Sequence, residues 1–184
     1  MKLVEEYPAN YEIELNSELP GSGGEFSVFT FSDGDTKPRG LGNAFLAIIR
    51  PDVSKWGAGF AGAGFKPPEV IDAVFTTPNP DVVCVVSQGA GYWVHTRTRE
   101  KTNVRAFPIR QVETTKDKML FADFTRIACY GSQGLEWLSR IVADGLHVNT
   151  VDAEHSRISC EGWDPKLSRS ETVWVDLKTG VAIG

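Results

Sequence analysis

A chain of 184 residues with 41% hydrophobic and 23% charged residues is long enough to bury its own core and is too apolar for a disordered segment. Its longest strongly apolar run, Ala44 to Ile49, is far too short to span a bilayer. A net charge of −5 argues against nucleic acid as a partner and suits a basic protein surface.

Strands and turns dominate the pattern from the start. Tyr11, Ile13 and Leu15 alternate with Glu12 and Glu14, which puts the three apolar residues on one face of a strand. Pro20-Gly21-Ser22-Gly23-Gly24 reads as a loop, Glu25 to Phe31 as a strand, and Ser32-Asp33-Gly34-Asp35 as its closing turn. Ala44 to Ile49 fits a strand covered on both faces. Trp56 to Phe65 nearly duplicates Gly-Ala-Gly-Phe, and so much glycine predicts a loop held by Trp56, Phe60 and Phe65. Glu69 to Asp72 has room for at most one helical turn.

From Ala73 onward strands are predicted at short, regular spacing: 73–76, 82–87, 92–96, 104–109, 119–124, 126–130, 136–140, 147–151, 157–161 and 172–176. Between them lie turn signals such as Pro78-Asn79-Pro80-Asp81, Gln88-Gly89-Ala90-Gly91, Gly131-Ser132-Gln133-Gly134, Asp144-Gly145 and Lys178-Thr179-Gly180. Leu135, Leu138, Ile141 and Val142 also fit helical spacing, with Gly145 as a cap, but the flanking turns favour strands. Val82 to Val94 and Ile127 to Leu138 each carry a Cys in an apolar run, then Ser-Gln-Gly, then a Trp. This is a weak internal meander similarity between 73–112 and 117–145. The expectation is one all-β domain over 1–184. Its antiparallel meanders and hairpins would form a sandwich, a barrel or a partial propeller-like stack, with at most one or two short helices.

Motifs for chemistry do not survive their surroundings. Gly57, Gly59 and Gly62 match GxGxxG, but Pro67 and Pro68 follow where the phosphate-binding helix should begin. His95, His147 and His155 are not at metal-ligand spacing, and there is no CxxC pair. Cys84, Cys129 and Cys160 read as free, inert thiols in apolar strands. The acidic N-terminus has no secretory signal, so a cytoplasmic location is expected. No catalytic, cofactor-binding or metal-binding residue is assigned, and no cofactor is expected.

Candidates for a partner or ligand surface remain. Trp56 and Trp163 sit in predicted loops beside Gly, Lys or Asp, and Phe60 and Phe65 belong to the same glycine-rich stretch as Trp56. Arg97, Arg99 and Lys101, continuing to Arg105 and Arg110, form either a solvated hairpin or an edge that docks an anion or a partner.

The series Ala122-Asp123-Phe124-Thr125-Arg126-Ile127-Ala128-Cys129-Tyr130-Gly131, Gly134-Leu135-Glu136-Trp137, Asp144-Gly145-Leu146, Gly162-Trp163-Asp164 and Val175-Asp176-Leu177-Lys178-Thr179-Gly180 resembles a family of bacterial all-β proteins without an assigned function. Pro78-Asn79-Pro80-Asp81 with Gly89-Ala90-Gly91-Tyr92 fits the same series. More loosely, Tyr130 to Trp137 and Val175 to Gly180 are similar to blades of quinoprotein-type β-propellers, which implies stacked meanders and no quinone. The resemblance brings no catalytic residues. The function expected is a non-catalytic binding module for another protein, with toxin neutralisation by an immunity-type protein as its specific form. The alternatives are a hydrolase with a spatially assembled site and a carbohydrate or small-ligand binder using loop aromatics.

Overall fold

The computed structural model describes residues 1–16, 26–32, 44–52, 54–65, 68–164 and 168–183. The expected loop at Pro20 to Gly24 and most of the turn at Ser32 to Asp35 lie outside the described residues. Among those described, the fold is all-β: strands and turns with no helix, in four open sheets. No helix long and apolar enough to cross a membrane occurs there. The chain divides into two compact units, Met1–Asn103 and Val104–Gly184.

Two sheets build the first unit. One has the order β2-β4-β5-β3, from β2 (Tyr11–Asn16), β4 (Ala44–Pro51), β5 (Trp56–Ala61) and β3 (Val28–Phe31). Its β3 and β5 run parallel and its other pairs antiparallel. The other sheet adds β1 (Lys2–Val4), in parallel, to the antiparallel meander of β6 (Ala73–Thr76), β7 (Val82–Ser87), β8 (Ala90–His95) and β9 (Lys101–Asn103). Their shared core sets Tyr11, Ile49, Trp56 and Phe60 against Val74, Val83, Val85, Tyr92 and Val94. Ile13 and Leu15 pack on this core beside Tyr11, as their alternation predicts.

The glycine-rich stretch departs from expectation. Residues 56–61 are a strand, not a loop. Trp56, Ala58 and Phe60 face the core, while Gly57 and Gly59 occupy the alternate positions. The strand has a partner on both sides, so its backbone groups are satisfied by two ladders. Burying Phe60 contributes about 1.5–3 kcal/mol, which exceeds the roughly 0.5–1 kcal/mol that each strand glycine costs. Glycines 57 and 59 therefore belong to a ladder and not to a phosphate loop. Residues 69–72 likewise form bends and no helical turn.

The second unit holds two antiparallel meanders. The first runs β10 (Gln111–Thr114), β11 (Met119–Ala122), β12 (Ile127–Gly131) and β13 (Gly134–Leu138). The second, here called the C-terminal sheet, runs β14 (Asp144–Asp152), β15 (Arg157–Asp164), β16 (Arg169–Asp176) and β17 (Ala182–Ile183). Leu120, Ile127 and Cys129 of one meander pack with Val148, Ile158, Cys160 and Val175 of the other.

Two details correct the sequence reading of this unit, and a third agrees with its preference for a strand over a helix. Residues 104–109 are not a strand. Val104, Ala106 and Ile109 are buried anchors of an irregular segment, and Pro108 lacks the N–H that a ladder needs. Asp144-Gly145 is not a turn between strands but the irregular start of β14, where Gly145 takes φ 61° and the register shifts before His147. Residues 134–138 are a strand, and the helical spacing continuing to Val142 has no helix behind it.

The two segments sharing Cys, Ser-Gln-Gly and Trp each fold as a hairpin with the Cys opposite the Trp: Cys84 with Trp93, and Cys129 with Trp137. Their turns differ. Gln88 and Gly89 both have positive φ, 48° and 89°, as a two-residue type I′ hairpin requires. In the second hairpin only Gly134 does, with φ 100°.

Candidate binding surface

Burial separates the predicted surface residues. Trp56 is 3% exposed and Phe60 is 0% exposed, so both are withdrawn from any surface. The Trp56 indole N–H donates to Thr96 O at 2.8 Å, and its ring meets Phe29 edge-on at 5.9 Å. Phe60 stacks on Phe31 at 5.2 Å and tilts against Tyr92 at 5.4 Å. Their neighbours looked loop-like, and this concealed two core anchors. Phe65 is exposed, and so is Trp163, which lies near the end of β15 and not in a loop.

Arg97, Arg99 and Lys101 are occupied within the first unit. Arg97 forms ion pairs with Asp52 and Asp81. Arg99 lies 4.7 Å over the Phe29 ring. Lys101 Nζ donates to Ser32 O at 2.9 Å and lies 5.7 Å from the Tyr92 ring centre. These side chains tie their hairpin to other elements of the first unit and do not form one open cationic edge. Arg105 and Arg110 fall in the second unit.

The second unit also carries a cluster of exposed apolar side chains. Along β15, Ile158 and Cys160 point into the core, so the alternation turns Arg157, Ser159, Glu161 and Trp163 outward. Along β16, Val175 points inward and Thr172 and Trp174 outward. Register places Trp174 beside Ser159 on one side and Ile183 on the other, and Trp163 beside Ser170. The outer face of the C-terminal sheet thus presents Trp163, Trp174 and Ile183, which are 46%, 36% and 44% exposed. Arg157 stacks 4.5 Å over the Trp174 ring while its Nε reaches Asp152 at 3.4 Å. Trp174 escapes the sequence reading, yet Val173-Trp174-Val175 carries the signal, because alternation forces the middle residue outward.

Between β13 and β14, Ile141 stands between two shallow grooves. One, of about 560 Å³, is lined by Leu138, Arg140 and the 179–182 turn. The other, of about 430 Å³, is lined by Ala143, Gly162, Trp163 and Val173. Ile141 is 64% exposed between them.

The thiols and histidines have structural surroundings. Cys84, Cys129 and Cys160 are free and buried. Burial pushes Cys160 up to about 11 and Cys129 to about 12, and raises Cys84 as well. A neutral buried thiol stabilises the fold fully below its unfolded value, and that contribution is lost as pH rises toward the folded value. The urea midpoint is therefore expected to hold from neutral pH to about 8.5 and to fall on moving to strongly alkaline buffer. An unchanged alkaline midpoint would show that the thiols ionise in place. His95 Nδ1 accepts from the Arg97 and Thr98 amides at 3.3 Å. His155 Nδ1 lies 2.8 Å from Asp152 Oδ2 on an exposed turn. Among the described residues no group of three His, Cys, Asp or Glu side chains is placed to hold a metal ion.

No protein-family model matches the chain, and no curated protein matches it.

Proposed function

We propose that the protein is a non-catalytic binding module whose ligand is another protein, held on the outer face of the C-terminal sheet. The observation that carries this reading is the grouping of Trp163, Trp174 and Ile183 on one exposed face. Large exposed apolar groups cost little when scattered, but a grouped set marks a contact surface. Tryptophan and arginine dominate the binding energy of such surfaces. Here Arg157 is already stacked on Trp174, so less freedom is lost when a partner covers it. The finer form of the proposal is an immunity-type protein of the bacterial cytoplasm. With a net charge of −5, the chain would steer toward a basic toxin.

Affinity capture from a lysate of the source, at low and at moderate salt, tests this reading. A stoichiometric protein is expected with the native chain. It should be lost when Trp163→Ala and Trp174→Ala are combined, with an affinity loss of about a hundredfold. The melting temperature should change little, because both rings are already partly in water. Retention of the partner by the double variant would refute the assignment of this face.

One observation favours a second reading, a carbohydrate ligand. Trp163 and Trp174 share a face and lie four residues apart along the ladder, roughly 13 Å at strand spacing. Binding of a soluble oligosaccharide, with quenching of tryptophan emission that the same double variant abolishes, would move the proposal to that class.

A further inference from the structure

An acidic chain usually places its arginines beside carboxylates, and this one does so for four of the nine in the described residues. Arg50, Arg97, Arg157 and Arg169 all form ion pairs. One end of the second unit is different. Asp123 holds a tight turn there: its Oδ1 accepts from the Thr125 and Arg126 amides at 2.7 and 2.8 Å, and from Thr125 Oγ1 at 3.3 Å. The Phe107 amide approaches its other oxygen at 3.5 Å. Asp123 is buried among these bonds, so it serves the backbone and not a neighbouring cation.

Arginines gather around that turn. The Arg110 amide donates to Ala122 O, and its guanidinium lies 4.4 Å over the Phe124 ring. Its Nε is buried and has no acceptor. Across the turn, Val142 N–H donates to Thr125 O and Ser139 N–H to Ile127 O, which sets Arg140 and Ile141 opposite Arg126. Arg126 and Arg140 are exposed, as are Phe107 and Phe124 at 54% and 46%. Among the described residues, none of Arg110, Arg126 and Arg140 forms an ion pair.

We propose that this end of the second unit docks an acidic peptide segment of a partner protein. Its carboxylates would lie on Arg126 and Arg140, and an apolar side chain against Phe107 and Phe124. Guanidinium groups bind carboxylates through paired, charge-assisted hydrogen bonds, and the exposed rings provide the apolar contact that a point-charge site lacks. The net charge of −5 opposes any acidic ligand, but it opposes a short segment less than a long one. The chain's surplus of acid repels a long polyanion such as single-stranded nucleic acid over many phosphates, while screening confines a short segment's contacts to the local arginines. The site uses other residues than the outer face of the C-terminal sheet and does not rest on that assignment.

Fluorescence polarisation with a labelled short peptide alternating glutamate and leucine tests the proposal. Its glutamine isostere and a single-stranded DNA of equal charge are the comparisons. The glutamate peptide should bind, the isostere should not, and moderate salt should weaken binding. Combining Arg126→Glu with Arg140→Glu should weaken it about tenfold or more at an unchanged melting temperature. The pair Arg126→Gln and Arg140→Gln should weaken it in the same direction, which covers any folding defect of the reversal. The proposal is overturned if peptide and isostere bind alike, if both variant pairs bind undiminished, or if the DNA binds tighter than the peptide. Salt-reversible self-association of the native protein that Arg126→Glu with Arg140→Glu abolishes would also overturn it, with a second copy as the occupant.

Discussion

Truncating Phe60 to alanine is expected to destabilise the protein by about 3–5 kcal/mol. The side chain is fully buried, stacked on Phe31 and tilted against Tyr92, whose hydroxyl donates to the carbonyl of Ala61 at 2.7 Å. Removing the ring opens a cavity between two sheets, and the flanking ladders limit collapse into it. Trp56→Phe should cost less. It keeps most of the apolar volume, and loses the indole bond to Thr96 O, a contribution of about 1 kcal/mol, together with the small volume of the pyrrole ring. Urea unfolding followed by tryptophan emission measures both. A loss under about 1 kcal/mol for Phe60→Ala would mean that the ring is not a core anchor and would return it to the candidate surface.

The same stretch shows what a sequence conceals. Alternation and turn chemistry place most strands without help: 73–76 and 82–87 have the expected bounds, because β-branched runs end at Pro-Asn-Pro-Asp and Ser-Gln-Gly. Residues 56–61 also alternate, Trp-Gly-Ala-Gly-Phe-Ala, but with glycine and alanine in the pattern the period is invisible to hydrophobicity. Only a neighbouring strand on each side makes such a backbone stable, and pairing is a property of the fold. Residues 104–109 fail the opposite way. Val104, Ala106 and Ile109 read as a strand because burial spaced them, while the backbone makes no ladder.

The candidate surfaces are legible to the same degree. Trp163 is visible as a large residue among polar neighbours, and Trp174 follows from strand alternation once β16 is placed. The arginine end is not legible, because it joins residues 107–110, 123–126 and 139–142 through hydrogen bonds between turns. Three of the five residues in the basic stretch beginning at Arg97 are held by partners within the first unit. Sequence spacing shows that cations are close together, but not which of them already have acceptors.

Gly180→Ala is the second substitution with a large expected effect, and it separates two physical costs. Gly180 has φ 70°, where an L-residue is disfavoured by about 1–2 kcal/mol. It closes the turn after β16 by donating to Asp176 O at 2.8 Å, while Asp176 Oδ1 accepts from the Lys178 and Thr179 amides. A Cβ at this position would lie 2.4 Å from Cε3 of Trp137 and 2.8 Å from Cδ2, so the added methyl collides with the ring face and not with a flexible tip. The ring cannot easily yield, because its Nε1 donates to Leu177 O at 3.0 Å from the neighbouring meander. Backbone strain and ring displacement together should cost about 3 kcal/mol. In a Trp137→Leu background the collision disappears, so Gly180→Ala should then cost only the backbone part, about 1–2 kcal/mol. Equal costs in both backgrounds would show that the ring and the glycine are independent. The ring would then yield freely to the methyl, and the cost would lie in the backbone alone.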